Sequence, residues 1–418
     1  MIYALILFIV TYVLLIVFSN HKVLISLLAI LIFILTDFLT IKQALVSIDY
    51  NIILMLIGIM GIVNLFIESQ MPKLLANILT RKITNTKLLI ITVAAFAGLI
   101  SAFVDNVATV LMIAPIALEI CERSKINPCL MLISISIFSN LEGAATLVGD
   151  TTSILLAGIN KMDFFDFFIY NNKIGLFFII QISLILSLIV LSIFIKKIPI
   201  KLKKTNIEVK DKVPTFLLIS NMLLLVISSF IKNKPSLTNG IICITLFIIG
   251  LIYKCIKERK INVLNNLKKI DFETIILLCN LFIIINSVKQ AGVLEVISNS
   301  LLNISDNIFI LYTIIVFASV IISAFIDNIP YVATMLPIIA RLSLSLAIHP
   351  TLLYFGLIVG ATLGGNLTPI GASANIAGLN ILKKEGYQVT LKEYIKISIP
   401  ITITAVISGY LLVYAIYS

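Results

Sequence analysis

Apolar runs about one bilayer thick recur along the chain, separated by short polar connections. A helix crossing a hydrocarbon layer of about 30 Å needs about 20 apolar residues. That pattern predicts spanning helices at 2–19, 23–36, 51–67, 130–158, 174–195, 214–231, 239–253, 274–289, 351–380 and 397–417. Two apolar stretches, 88–121 and 307–345, are longer than one span and carry polar residues in their middle. Each reads either as two full spans or as a re-entrant hairpin with Asp-Asn at its tip, and both choices return the chain to the same side. Residues 70–82 read as a short amphipathic surface helix, with Glu295 and its neighbours matching it on the other side. The first segment lacks a basic leader and a small-residue cleavage site, so it reads as a retained helix.

The pattern occurs twice. Residues 101–116, SAFVDNVATVLMIAPI, return at 323–338 as SAFIDNIPYVATMLPI, an offset of 222 with eight identities. The same offset pairs Asp49 with Asp271, Asn64 with Asn286, Pro128 with Pro350, Gly143 with Gly365, Thr146 with Thr368 and Gly149 with Gly371. Five spans, an odd number, separate equivalent points, so the repeats enter the membrane from opposite sides as inverted repeats. The organisation expected is an N-terminal helix pair (1–47), a first repeat (48–195), a basic linker (196–213), a second helix pair (214–269) and an inverted second repeat (270–418).

Composition sharpens the class. Apolar residues make up 60% of the chain and charged ones 12%, against about 45–50% and about 25% in soluble domains. The fold class is therefore an all-α integral membrane protein. The net charge of +11 does not point to nucleic acid, because the basic residues sit in the connections between apolar runs. Of 31 Lys and Arg, 24 fall in the segments 20–22, 68–87, 122–127, 196–213, 254–270 and 383–396. The positive-inside rule makes that side cytoplasmic and places both termini outside, and the high Ile, Lys and Asn content points to a prokaryotic chain in a cytoplasmic membrane. Cys121, Cys129, Cys243, Cys255 and Cys279 lack CxxC spacing and read as reduced packing residues.

Candidate chemistry lies inside the apolar stretches. An Asp at the centre of a membrane helix costs about 2.5–3.5 kcal/mol on insertion scales. Asp105 with Asn106 and Asp327 with Asn328 therefore read as paired site residues that ligate a cation such as Na+ or carry a proton; helix capping is the structural alternative. Pro115 and Pro337, ten residues later, mark a kink or an end. The second motif pair is Gly143-Ala-Ala-Thr146-Leu-Val-Gly149-Asp150 and Gly365-Asn366-Leu-Thr368-Pro-Ile-Gly371-Ala372. Its residues suit a broken helix whose unwound carbonyls and half-helix N-termini line a polar site. Thr151 continues the polar run in the first half, Ser373 and Asn375 in the second. Asp150 has no counterpart, which makes the site asymmetric. Glu142, opposite Gly364, is a pathway candidate, whereas Glu119 and Arg341 read as interfacial. With no intramembrane Lys or Arg in view to pair with a carboxylate, citrate and dicarboxylates rank third as cargo. No P-loop, nucleophile elbow or metalloenzyme spacing occurs. ATP-driven transport would need a soluble ATPase partner, for which nothing in the chain speaks.

These residues resemble the ArsB/NhaD permease superfamily of the ion transporter group, and within it the melanosomal P protein-like permeases. The segments carrying the resemblance are SAFVDN, SAFIDNIPYVATMLP, GATLGGNLTPIGASANIAG (360–378) and GYQVTLKEYIKISIP (386–400). Where relatives show a GDPPN-like run, this chain has Gly149-Asp150-Thr151-Thr152-Ser153. The resemblance implies about ten transmembrane helices plus two re-entrant hairpins, two discontinuous helices, an elevator-type motion and a homodimer. It places Asp105-Asn106 and Asp327-Asn328 at hairpin tips, and Thr146–Ser153 and Thr368–Asn375 in unwound segments. The expected activity is secondary transport of a small anion or oxyanion, arsenite or antimonite included, coupled to H+ or Na+. A Na+/H+ antiporter and a citrate or dicarboxylate carrier are the alternatives, ahead of a channel or a membrane enzyme. No resident cofactor is expected.

Overall fold

The computed structural model describes residues 2–18, 21–200, 209, 211–258 and 267–418. Residues 201–208 and 210 of the expected linker therefore lie outside the described residues. The chain begins with α1 (Ile2–Val17), α2 (Lys22–Leu35) and the short α3 (Ile41–Ser47). A first set follows: α4 (Tyr50–Glu68), α5 (Met71–Thr80), α6 (Thr86–Ser101), α7 (Asn106–Ser124), α8 (Cys129–Gly143) and α9 (Thr151–Asn160). A small antiparallel ribbon, Ile169–Tyr170 with Lys173–Ile174, leads into α10 (Leu176–Phe194). Next come α11 (Val213–Ser229) and α12 (Thr238–Glu258).

The second set is α13 (Phe272–Gln290), α14 (Val293–Leu302), α15 (Ile308–Ser323), α16 (Asn328–Ser345), α17 (Thr351–Ile358) and α18 (Ser373–Lys384); α19 (Leu391–Tyr417) ends the chain. The first set starts at 50, 71, 86, 106, 129 and 151, and the second at 272, 293, 308, 328, 351 and 373. Every helix of the second set thus begins 222 residues after its partner. The local reason is a repeated set of caps. Asp49 accepts the amides of Asn51 and Ile52, and Asp271 accepts that of Thr274. Asn85 and Asn307 do the same for α6 and α15, and Asp105 and Asp327 for α7 and α16. Even the left-handed residues before α5 and α14, Gln70 and Gly292, are equivalent.

The two long apolar stretches are helical hairpins. At 16 residues each, α6 and α15 are about 24 Å long at 1.5 Å per residue, short of the ~30 Å hydrocarbon core. Their tips dock at the middle of the interrupted helices α8–α9 and α17–α18, which is re-entrant geometry. Pro115 and Pro337 fall inside continuous helices and end neither. The runs expected as single spans at 130–158 and 351–380 are each interrupted, the second after a π-helical turn at Val359–Leu363.

The interrupted helices form the core. Every residue from Met131 to Gly143 and from Thr351 to Leu363 is buried, polar Ser134, Ser139, Asn140 and Thr362 included. Outside them, α1, α2, α10, α11 and α12 turn bare Leu and Ile side chains outward, Ile193 and Ile256 among them. An apolar exterior around a polar interior suits a lipid solvent. The helix pairs are crossed between repeats: α12 packs on α4, and α2 packs on α13.

Glycine makes the docking of tip into break this close. A Cβ on Gly371 would lie 2.6 Å from the carbonyl oxygens of Gly365 and Ser323; on Gly149 it would lie 2.7 Å from that of Gly143. These neighbours are backbone and cannot turn aside. Gly371→Ala and Gly149→Ala should each lose about 1–3 kcal/mol of stability through overpacking. That would be read as a lower melting temperature of the detergent-solubilised protein. Unchanged melting of both would rule out this close docking.

Candidate functional site

The two hairpin tips and the two helix breaks meet around one cavity of about 190 Å³. The first tip contributes Asp105 and Asn106, the first break Asp150 and Thr151, the second tip Asp327 and Asn328, and the second break Ser373. All seven were expected at the site. Sites that enclose drug-sized ligands hold about 300–1,000 Å³, so this one suits a small ion. Lys269, Asp271 and Thr274, at the start of α13, line the same cavity together with Asn64 of α4.

Each carboxylate is held differently. Asp105 caps α7, its Oδ1 accepting the amides of Val107 at 3.0 Å and Ala108 at 3.1 Å. Asp150 caps α9: Oδ1 accepts the Thr151 amide at 2.7 Å and Oδ2 the Thr152 hydroxyl at 3.0 Å. The Asn328 side-chain amide, from the opposite tip, reaches the same Oδ2 at 3.4 Å. Asp327 Oδ1 accepts the Ile329 amide, while its Oδ2 accepts the Lys22 ammonium at 2.7 Å. The Ser373 hydroxyl lies 3.4 Å from that oxygen. A lysine therefore stands at the site, where none was expected to be available for a carboxylate of the cargo. Lys22 opens α2, next to the loop in which the charge pattern placed it, and its long stem carries the ammonium to the tip.

The other expected residues hold the site together without lining the cavity. Thr146 donates to the Ala102 carbonyl and its equivalent Thr368 to the Ala324 carbonyl, tying each break to its own tip. Gly149 and Gly371 allow that contact. Asn366 donates to the Ile137 carbonyl at 2.9 Å, and Asn375 donates to the Gly365 carbonyl at 3.2 Å and to Asn366 Oδ1 at 3.3 Å.

Asn140 was not anticipated, although it joins the repeats. It accepts the Asn106 amide at 2.9 Å and donates to the Thr362 carbonyl at 2.7 Å and to Asn366 Oδ1 at 3.1 Å. Its position plus 222 is 362, so the bond to Thr362 joins two equivalent points. Beside it the hydroxyls of Thr152 and Thr362 meet at 3.1 Å. A single Asn within ISIFSNLEG carries no signal of its own; only the 222 register, followed to Thr362, could have marked it.

Glu142 points away from the cavity. It lies fully buried against Gly98, accepts the Gln181 side-chain amide at 2.6 Å on Oε2, and leaves Oε1 without a partner. Glu119 pairs with Lys73 and Arg123, and Arg341 lies 3.7 Å from Glu295, both at the open ends of the hairpins. No cysteine lines the cavity, and among the described residues no three His, Cys, Asp or Glu converge as a metal site. The donors on offer are carboxylate, amide and hydroxyl oxygens, which suit protons and hard cations.

Removing Asn140 would leave Asn106 and the Thr362 carbonyl buried without these partners. Asn140→Ala should therefore lose about 1–3 kcal/mol for each group left unsatisfied. Urea or thermal unfolding in detergent checks this, and a change within about 0.5 kcal/mol, ordinary for a surface site, would contradict the join.

The profile of the citrate transporter family matches residues 6–360. A 46 kDa membrane protein of Mycobacterium leprae is 31% identical over 372 residues, covering 86% of this chain and 85% of that one. The human P protein is 24% identical over 452 residues, covering 88% of this chain and 54% of its own length. Among solved structures, the Alcanivorax borkumensis YdaH transporter superposes with a TM-score of 0.59 at 13% identity, covering 87% of this chain and 84% of that one. That likeness shows the fold. With a nearly all-helical, apolar exterior and a duplicated polar centre, this is a membrane transporter and not an enzyme, and the chain belongs to the citrate transporter family of ArsB/NhaD-type permeases.

Proposed function

We propose that the protein carries a small anion of the carboxylate or oxyanion type across the cytoplasmic membrane, coupled to H+ or Na+. One observation carries the reading: the helices after the two breaks start at equivalent positions, but only the first start carries a carboxylate. At the first, the Asp150 carboxylate caps α9. At the second, Ala372 holds the equivalent position and α18 has no side-chain cap. A helix N-terminus carries about half a positive charge and readily accepts an anion. Asp150 thus shows the place of a carboxylate at one half-helix, and α18, with Ser373 on the cavity, leaves it to the cargo at the other. Asp105, Asp150 and Asp327 supply the charge that a coupling cation neutralises. The hairpin tips and the breaks tied to them move together, in elevator fashion. Both termini lie on the extracytoplasmic side, following the distribution of Lys and Arg. Arsenite finds no thiolate here, which favours a hard anion such as citrate.

Na+/H+ antiport remains the second reading, favoured by the three carboxylates around one cavity. Liposomes loaded with a pH-sensitive dye separate the two. Under the anion reading, citrate or another small anion evokes proton flux. Ala372→Asp then raises the apparent KM about ten-fold or more by supplying the competing charge, while Ala372→Ser does not. Sodium-evoked proton flux with no response to any anion would establish the antiporter instead.

A further inference from the structure

The repeats begin near residue 48, so α1 and α2 stand outside the duplicated unit. They nonetheless grip the second hairpin at two points. On α1, the Tyr12 hydroxyl donates to the Pro330 carbonyl at 3.2 Å and bonds to the Thr334 hydroxyl, both on α16. On α2, Lys22 Nζ lies 2.7 Å from Asp327 Oδ2, and the two side chains are only 19% and 15% exposed. Because α2 is packed along α13, the grip spans from a helix at the periphery to the tip of the second hairpin. At the first tip, the bonds to Asp105 among the described residues come from the amides of Val107 and Ala108, and no basic side chain joins them. Duplication made the tips alike, and α2 makes them unequal.

We propose that Lys22 is a tethered counter-cation of the transport site. It holds at Asp327 the place that a mobile cation, a proton or Na+, takes when the carrier loads. The unloaded second tip is thereby latched to α1–α2 and is freed when that cation displaces the ammonium. Other charged groups lining the cavity are Asp105, Asp150, Asp271 and Lys269, so local charge balance changes whenever the ammonium leaves. Lysine suits the part, because a single charge on a flexible stem can swing back from the first turn of α2 to the interface. The inference rests on the cation-coupled reading of the site and adds a residue to it. Its consequence is that the second tip does not move with cargo alone, so transport of the anion waits on the coupling cation.

Hydrogen exchange of the tip tests this without any transported substrate, so it stays informative even if no flux is found. Peptides covering 324–334 are followed by mass spectrometry in purified wild type, Lys22→Arg, Lys22→Gln, Asp327→Asn and the Lys22→Gln/Asp327→Asn pair. Each is measured in sodium or choline salt, at neutral and mildly acidic pH, after correction for intrinsic exchange. In wild type, sodium or acid should speed tip exchange roughly ten-fold, the sign of a local opening. Lys22→Gln and Asp327→Asn should be fast in every condition, the pair no faster than either alone, and Lys22→Arg slow. If Lys22→Gln exchanges like wild type, there is no latch. If it is fast while wild type ignores both sodium and acid, the pair is a fixed brace, and the proposal falls. Should Lys22→Gln fail to fold, the wild-type response to sodium and acid still decides between displacement and brace.

Discussion

The docking of each hairpin tip into the break of its neighbouring helix is the contact on which the rest depends. Within a bilayer every backbone N–H and C=O needs a partner, and an unsatisfied one costs several kcal/mol. Turning two hairpins and interrupting two helices in that medium frees many such groups together. The chain solves this by setting the two defects against each other. Thr146 and Thr368 cap the exposed carbonyls of Ala102 and Ala324, and Ser139 reaches the Asn106 carbonyl at 2.9 Å. Gly149 and Gly371 let the backbones approach. A tip without its break, or a break without its tip, would have no stable place in lipid.

On this symmetric frame function requires differences. Equivalent positions carry Asp150 and Ala372, Glu142 and Gly364, and a tip with Lys22 beside it faces a tip without. The structural positions, Thr146/Thr368 and Gly149/Gly371, stayed the same. This division separates scaffold from chemistry more sharply than burial does, because nearly everything near the centre is buried. Two equal half-sites would bind two equal ions. Under the proposed function, unequal ones would let a cation and an anion share one cavity, each offsetting the other's desolvation.

Much of the architecture was legible in the sequence because membrane folding obeys few rules. Apolar run length marked where most helices lie without marking their breaks, and the 222 offset holds down to the first residue of each repeated helix. Asp105, Asp150 and Asp327 stood out because a carboxylate in an apolar run is expensive. Lys22 did not stand out, since a Lys at the end of a span is the usual product of topology, and only the fold brings it to residue 327. Asp271 was visible only as the repeat partner of Asp49, which gave no sign of its place on the cavity. Thr146, Thr368, Asn366 and Asn375 were recognised as polar centre residues, but sequence does not say whether a hydroxyl faces a cavity or a carbonyl. Glu142 was the converse case: near the break in sequence, it faces Gln181 instead of the site.

The join between repeats sets the limit on how the molecule can move. Asn140 and Asn366 tie the first break to the second, and Thr152 meets Thr362, so the two broken helices share buried bonds that solvent cannot replace. Motion that separated them would leave these groups bare in a medium without water. Motion that carried both breaks and both tips as one body would keep every such bond. It would have to exchange only the contacts to the surrounding helices, Lys22 with Asp327 and Tyr12 with Thr334 among them. At the second tip those contacts include the Lys22–Asp327 ion pair, the one that a loading cation would exchange under the proposed function.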